Sequence, residues 1–308
     1  MRAAALVLTA GLIAGAAAGC GNQMAGAGGR PAVVATTTQV ADLVRAVGGS
    51  AVDVRQILRP NSDPHEYEPR PADAKAIASA ALVIRSGGDV DRWLDDLIAN
   101  AGGSARVVTL ADGIAPVRTA EGVDPHWWQD PRNAERAVAA TRQALSAADP
   151  SGRAAFAANA TRYLRRVRAM DRAIAACFAR VPRAQRTLVT DHDALGYFAR
   201  RYGLRIVGTV LPSLSTQAQP SAGGLARLTR DIRRAGVKAV FPEQSLNPKL
   251  VRAIAAQSGA AVGRPLWADA LGPPGSDGAT YLGSLRSNAN ALADGLSGGT
   301  VRCVLPAA

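Results

Sequence analysis

The chain has three histidines, and each stands beside a carboxylate. His65 closes Asp63-Pro64-His65, His126 closes Asp124-Pro125-His126, and His192 lies between Asp191 and Asp193. Neutral imidazole is the commonest metal ligand, and a nearby carboxylate can hold its second ring nitrogen and fix the tautomer. The competing reading is three unrelated surface or core histidines. The near-repeat of context at two of the sites makes that the weaker reading and points to a three-histidine metal site. Three neutral imidazoles leave a divalent charge uncompensated, so a carboxylate is the natural fourth ligand. Asp269, in Leu266-Trp267-Ala268-Asp269-Ala270-Leu271, is the expected one. Glu243 competes for that role, its other reading being a carboxylate that hydrogen-bonds cleft backbone or caps the following helix. Trp127, Trp128 and Trp267 flank these residues, either as an apolar shell that keeps water off an ion or simply as core.

The elements that position these residues alternate between strand and helix. In the first half, strands are expected at 32–37, 51–58, 81–85 and 105–110, with helices at 40–47, 72–80, 90–100 and 133–147. Such alternation argues for βαβ units and a parallel sheet. Asp149 then offers an N-cap and Pro150 a first helical residue. From Phe156 to Phe178 apolar residues recur every three or four positions, while Arg162, Arg165, Arg166, Arg168 and Arg172 occupy mostly the others. With no breaker before Pro182, this helix runs about 30 residues, roughly 45 Å. Its arginines read as a solvated face. Beyond it, strands at 186–190, 204–211, 237–241 and 261–266 alternate with helices at 193–201, 221–235, 248–258 and 280–296.

The fold expected is therefore two α/β lobes with mainly parallel sheets, at 31–148 and 183–308, joined by one long rigid helix at 149–182. Ligands of open parallel sheets bind beyond the carboxyl ends of the strands. His65 and His126 come from the first lobe, His192 and Asp269 from the second, which puts the site in the interlobe cleft.

Residues 1–19 read as a secretory signal: Arg2, then an apolar run too short and weakly flanked to span a membrane. Cys20 directly follows Ala-Gly, as at a bacterial lipoprotein cleavage site. Ala17 stands where leucine is more usual, so unlipidated secretion is the alternative. Residues 20–30 are a flexible tether. The net charge of +12 suggests an anionic neighbour such as a cell wall or lipid surface. The arginines are scattered and not interleaved with aromatics, which argues against nucleic acid. Cys177 and Cys303 remain as an even pair, compatible with one disulfide in an exported protein. A buried free thiol at Cys177 is the other reading.

Asp63 to Pro69, Asp124 to Pro131 and His192 to Phe198, with Tyr202-Gly203-Leu204 after them, resemble the metal-binding solute-binding lipoproteins of zinc and manganese ABC importers. Ser86-Gly87-Gly88, Trp93-Leu94, the Asp149-Pro150 helix start and Asp269-Ala270-Leu271 extend the similarity across nearly the whole mature chain. The resemblance implies a metal held between two lobes by His65, His126, His192 and Asp269, and its handover to a membrane permease. Zinc-specific members often carry a histidine- and acid-rich loop before the second ligand, whereas residues 113–123 contain no histidine. Manganese members tend to have glutamate at the third position, where this chain has His192. Nitrogen donors suit zinc and oxygen donors manganese. Zinc is the expected cargo and manganese the alternative.

The rival readings are a secreted zinc metalloenzyme and a surface adhesin or carrier of a larger chelate. Catalysis needs an open coordination position and a placed base. There is no His-Glu-x-x-His motif, and the ligands come from four distant segments. The expectation is a monomeric binding protein, not an enzyme, on the outer face of the cell membrane.

Overall fold

The structure is a computed structural model and describes residues 29–308; the signal segment, Cys20 and nearly all of the tether lie outside the described residues. The first lobe is built from β1 (Ala32–Ala35), α1 (Thr38–Gly48), β2 (Asp53–Gln56), α2 (Pro71–Ser79), β3 (Leu82–Arg85), α3 (Trp93–Ala101) and β4 (Arg106–Thr109). Its strands form one parallel sheet in the order β2-β1-β3-β4. Both faces are covered, and the alternation of side chains shows it. Val33, Leu82 and Ile84 join the large core on one side, while Val34 and Val83 join a smaller cluster with Ile77 and Leu94 on the other. Thr37 caps α1 by accepting from the Val40 amide at 3.3 Å, ending β1 and turning the chain.

Residues 113–123, irregular by sequence, contain a short antiparallel hairpin of β5 (Arg118–Thr119) and β6 (Gly122–Val123). Then α4 (Pro131–Ala148) starts from Asp130, which accepts from the Arg132 amide at 2.9 Å, with Pro131 in the first turn. Asp149 and Pro150 open a separate 3₁₀ turn, Pro150–Gly152, and only then does α5 (Arg153–Arg180) begin. That long helix is 28 residues, about 42 Å. Its buried stripe includes Phe156, Tyr163, Val167, Met170, Ile174 and Phe178.

The second lobe comprises β7 (Thr187–Thr190), α6 (Gly196–Tyr202), β8 (Arg205–Thr209), α7 (Ala222–Ala235), β9 (Ala239–Val240), α8 (Lys249–Ser258), β10 (Ala261–Val262) and α9 (Tyr281–Ser297). β8 pairs with β7 and β9 with β10, all parallel, and a Thr190–Phe241 bridge joins the two pairs. The helix expected from residue 193 starts at Gly196. The backbone of residues 191–193 is instead held by the next strand's exit loop, through Leu211 N to Asp191 O (2.7 Å) and Asp193 N to Ser213 O (2.9 Å). The strand expected over 261–266 shortens to Ala261–Val262, because Pro265 has no amide to donate; Leu266 rejoins through a bridge to Glu243. The last helix, α9, packs on α5 and on α1 of the first lobe, so one continuous core runs through both lobes and the connecting helix.

Candidate metal centre

Each of the four residues singled out by sequence leaves a strand end or a turn at the same edge of the molecule. Asp63 and Asp124 each accept from the amide two residues on, His65 and His126, at 2.9 Å. The repeated Asp-Pro-His tripeptide thus codes for the same Asx turn twice, and each turn presents its imidazole. His192 follows β7 directly, and Asp269 follows the Leu266 bridge.

The structure brings His65, His126, His192 and Asp269 together, with one donor atom from each lying within 4.8 Å of all the others. The Asp269 carboxylate is the hub. Its Oδ2 lies 3.3 Å from His65 Nε2 and 3.1 Å from His192 Nε2, and its Oδ1 lies 3.4 Å from His126 Nε2. Donors about 2.0–2.1 Å from a tetrahedral ion stand roughly 3.3 Å apart, so these spacings suit one divalent ion between them. All three Nε2 atoms and both carboxylate oxygens are buried without a hydrogen-bond partner among the described residues. Five unsatisfied polar atoms converging on one point are costly unless a ligand satisfies them, and a cation does so.

Behind the donors, two carboxylates set the rings. His126 Nδ1 donates to Asp124 Oδ1 at 2.8 Å, and His192 Nδ1 donates to Glu243 Oε1 at 2.5 Å. With Nδ1 committed as donor, Nε2 keeps its lone pair for a metal. Glu243, the rival ligand by sequence, therefore stands behind His192 and outside the four-donor cluster. Burial pushes Asp191 up, and repulsion from Glu243 adds to it, to a pKa of about 7. Burial alone would raise Asp269 as well, but the imidazoles of His192 and His126 hold its carboxyl well below the usual range.

Sequence reasoning missed how the cleft is fastened. Trp128 Nε1 and Gln129 Nε2, just after His126, both donate to Ala268 O at 2.9 Å, beside Asp269. Leu271 N donates to Thr38 Oγ1 at 2.8 Å, and Asn61 N to Leu271 O at 2.8 Å. The segment that carries Asp269 is thereby tied to the first lobe. Across the mouth, Gln217 Nε2 donates to His65 O at 2.7 Å, and Leu214 N donates to Glu121 Oε2 at 3.0 Å. The proximity of Trp128 and Gln129 to His126 was the only sequence signal for these contacts. Trp127 and Trp128 are buried core and Trp128 packs edge-on to His126, with ring centroids 5.5 Å apart. Trp267 is buried against Gly278 with its Nε1 on Asp277. Cys177 and Cys303 are joined in a disulfide, with Cα atoms 5.2 Å apart, tying the C-terminal tail to α5.

Two α/β lobes meet around a donor cluster whose chemistry is able to hold a cation. The chain belongs to the family described as zinc-uptake complex component A, periplasmic, whose model matches residues 33–295. It is 31% identical over 290 residues to the manganese-binding lipoprotein MntA of Bacillus subtilis, covering 90% of this chain and 94% of the relative. It is 29% identical over 306 residues to the zinc-binding protein TroA of Treponema pallidum, covering 96% and 98%. The solved structure of that periplasmic zinc-binding protein superposes with a TM-score of 0.81 at 27% identity, covering 87% of this chain and all of that one.

Proposed function

We propose that this protein captures a divalent transition-metal ion outside the cytoplasm and delivers it to the permease of an ABC importer, with zinc as its cargo. His65, His126, His192 and Asp269 are the ligands. The observation that carries this reading is the convergence of three unpartnered imidazole nitrogens on one buried carboxylate. Three nitrogens and a carboxylate suit zinc, and the relative from Treponema pallidum is named as zinc-binding. Manganese is the second reading. Both Asp269 oxygens face the histidines, which adds an oxygen donor, and the relative from Bacillus subtilis is named as manganese-binding.

The family is described as a component of a zinc-uptake complex, these relatives are named for the metals they bind, and the chain is not an enzyme. Its lobes span residues 31–148 and 183–308, with 149–182 as the strut. Cleavage before Cys20 leaves a lipidated mature chain on the outer face of the cell membrane, working as a monomer beside its permease. Cells lacking the chain are expected to lose high-affinity uptake of radioactive zinc, and the intact gene to restore it. Uptake that is unchanged for zinc but lost for manganese would replace the first reading with the second.

A further inference from the structure

The chain carries +12 net charge, and the metal site accounts for none of it. Where the uncompensated charge gathers is informative. Between α1 and α5 lies a cavity of about 620 Å³, walled by Arg45, Arg162 and Arg166. A second cavity of about 510 Å³ adjoins it, sharing Asp42 and Arg45 and adding Arg55 and Arg59. None of these five arginines forms an ion pair with a carboxylate among the described residues. Two of them are steadied by neutral amides instead: Arg45 donates to Gln56 Oε1 at 2.8 Å and Arg162 to Asn159 Oδ1. Acid at the cavity is limited to Asp42, whose Oδ2 accepts from the Tyr163 hydroxyl at 3.2 Å and the Tyr281 amide at 3.1 Å, and to the chain's last residue, Ala308, so the arginines outnumber the carboxylates.

We infer that this double cavity is a binding groove for an extended polyanion carrying repeated phosphate groups, separate from the metal centre. Guanidinium forks pair with phosphate oxygens bidentately, and five of them along two adjoining hollows match a chain of charges better than a single ion. The concave shape selects the occupant. A flat bilayer meets only the rim of a groove, whereas a flexible linear polymer lies within it. The location fits a molecule held at the cell envelope. Asn159, on the wall of the first cavity, donates to Val47 O at 2.9 Å, and nearby Ser50 O accepts from Arg30, at the start of the described chain. The start of the described chain therefore lies close to the groove.

The test uses the full mature chain carrying Cys20→Ser, to remove lipid, with long-chain inorganic polyphosphate as the probe. Binding followed by fluorescence anisotropy is expected at low salt and should weaken steeply as salt rises, because condensed counterions are released on binding. The triple variant Arg45→Glu, Arg162→Glu, Arg166→Glu should bind polyphosphate at least about tenfold more weakly and leave zinc affinity unchanged, which also shows that it has folded. Equal binding by the variant would overturn the inference, as would no binding at low salt. Sedimentation with phosphatidylglycerol vesicles in the absence of polyphosphate binding would also overturn it, in favour of a lipid surface.

Discussion

Glu243 accepts the Nδ1 proton of His192 at 2.5 Å, and this one contact sets it apart from Asp269, the other candidate ligand carboxylate of the second lobe. Asp269 faces the donors, whereas Glu243 orients one of them and raises its basicity. Replacing Glu243 by Gln keeps the shape and removes the charge, so zinc affinity should fall within the 10- to 100-fold range typical of such supporting groups. Chelator competition measures this directly. A Glu243→Gln protein with wild-type affinity would mean that the contact is only structural.

Proton release follows from the same arrangement. Burial pulls the His192 pKa down, but the charges of Glu243 and Asp269 outweigh it and leave the metal-free ring well above its ordinary value. The raised pKa favours the protonated ring in the metal-free protein, and a metal competes with that proton. Apparent zinc affinity should rise with pH across the neutral range. Calorimetry in buffers of different ionisation enthalpy should report net proton release on zinc binding, and a buffer-independent heat would contradict the assignment. For the metal-free fold the sign is fixed likewise. The raised pKa of His192 stabilises fully below its unfolded value of about 6.5, and that contribution is lost as pH rises through the folded value. The lowered pKa of Asp269 acts oppositely, stabilising above about 3.9 and losing its effect on acidification through the folded value.

Much of this was legible in the chain because periodicity and punctuation are local. The apolar stripe from Phe156 to Phe178 marked the long helix, and the Asp-Pro-His repeat marked two turns that present imidazoles. What was not legible depends on partners far apart in sequence. Nothing near Ala268 indicates that Trp128 and Gln129, some 140 residues away, both bond to its carbonyl. The late start of α6 has the same origin, since Leu211 and Ser213 hold the backbone on either side of His192 and keep it out of the helix. The hairpin at Arg118–Val123 is two residues per strand, too short for an alternating pattern to register.

Reduction should test the crosslink independently of the metal. The Cys177–Cys303 bridge closes a separation of 126 residues, worth about 4–5 kcal/mol on a chain-entropy account. Neither cysteine belongs to the donor cluster. Thermal unfolding with and without reductant should show a clear drop in Tm on reduction, with zinc binding intact at 25 °C. An unchanged Tm would show that the bridge contributes little, and two free thiols titrated in the denatured, unreduced chain would show that it does not form.

The most direct measurement is the metal content of the purified protein, by mass spectrometry, alongside calorimetric titration of the metal-free form. One zinc ion per wild-type chain is expected. His192→Ala and Asp269→Ala should each bind zinc at least about 100-fold more weakly while keeping the circular dichroism of the folded chain, because neither residue belongs to the apolar clusters that hold the fold. Stoichiometric zinc held with wild-type affinity by either variant would contradict the four-residue site and with it the account given above.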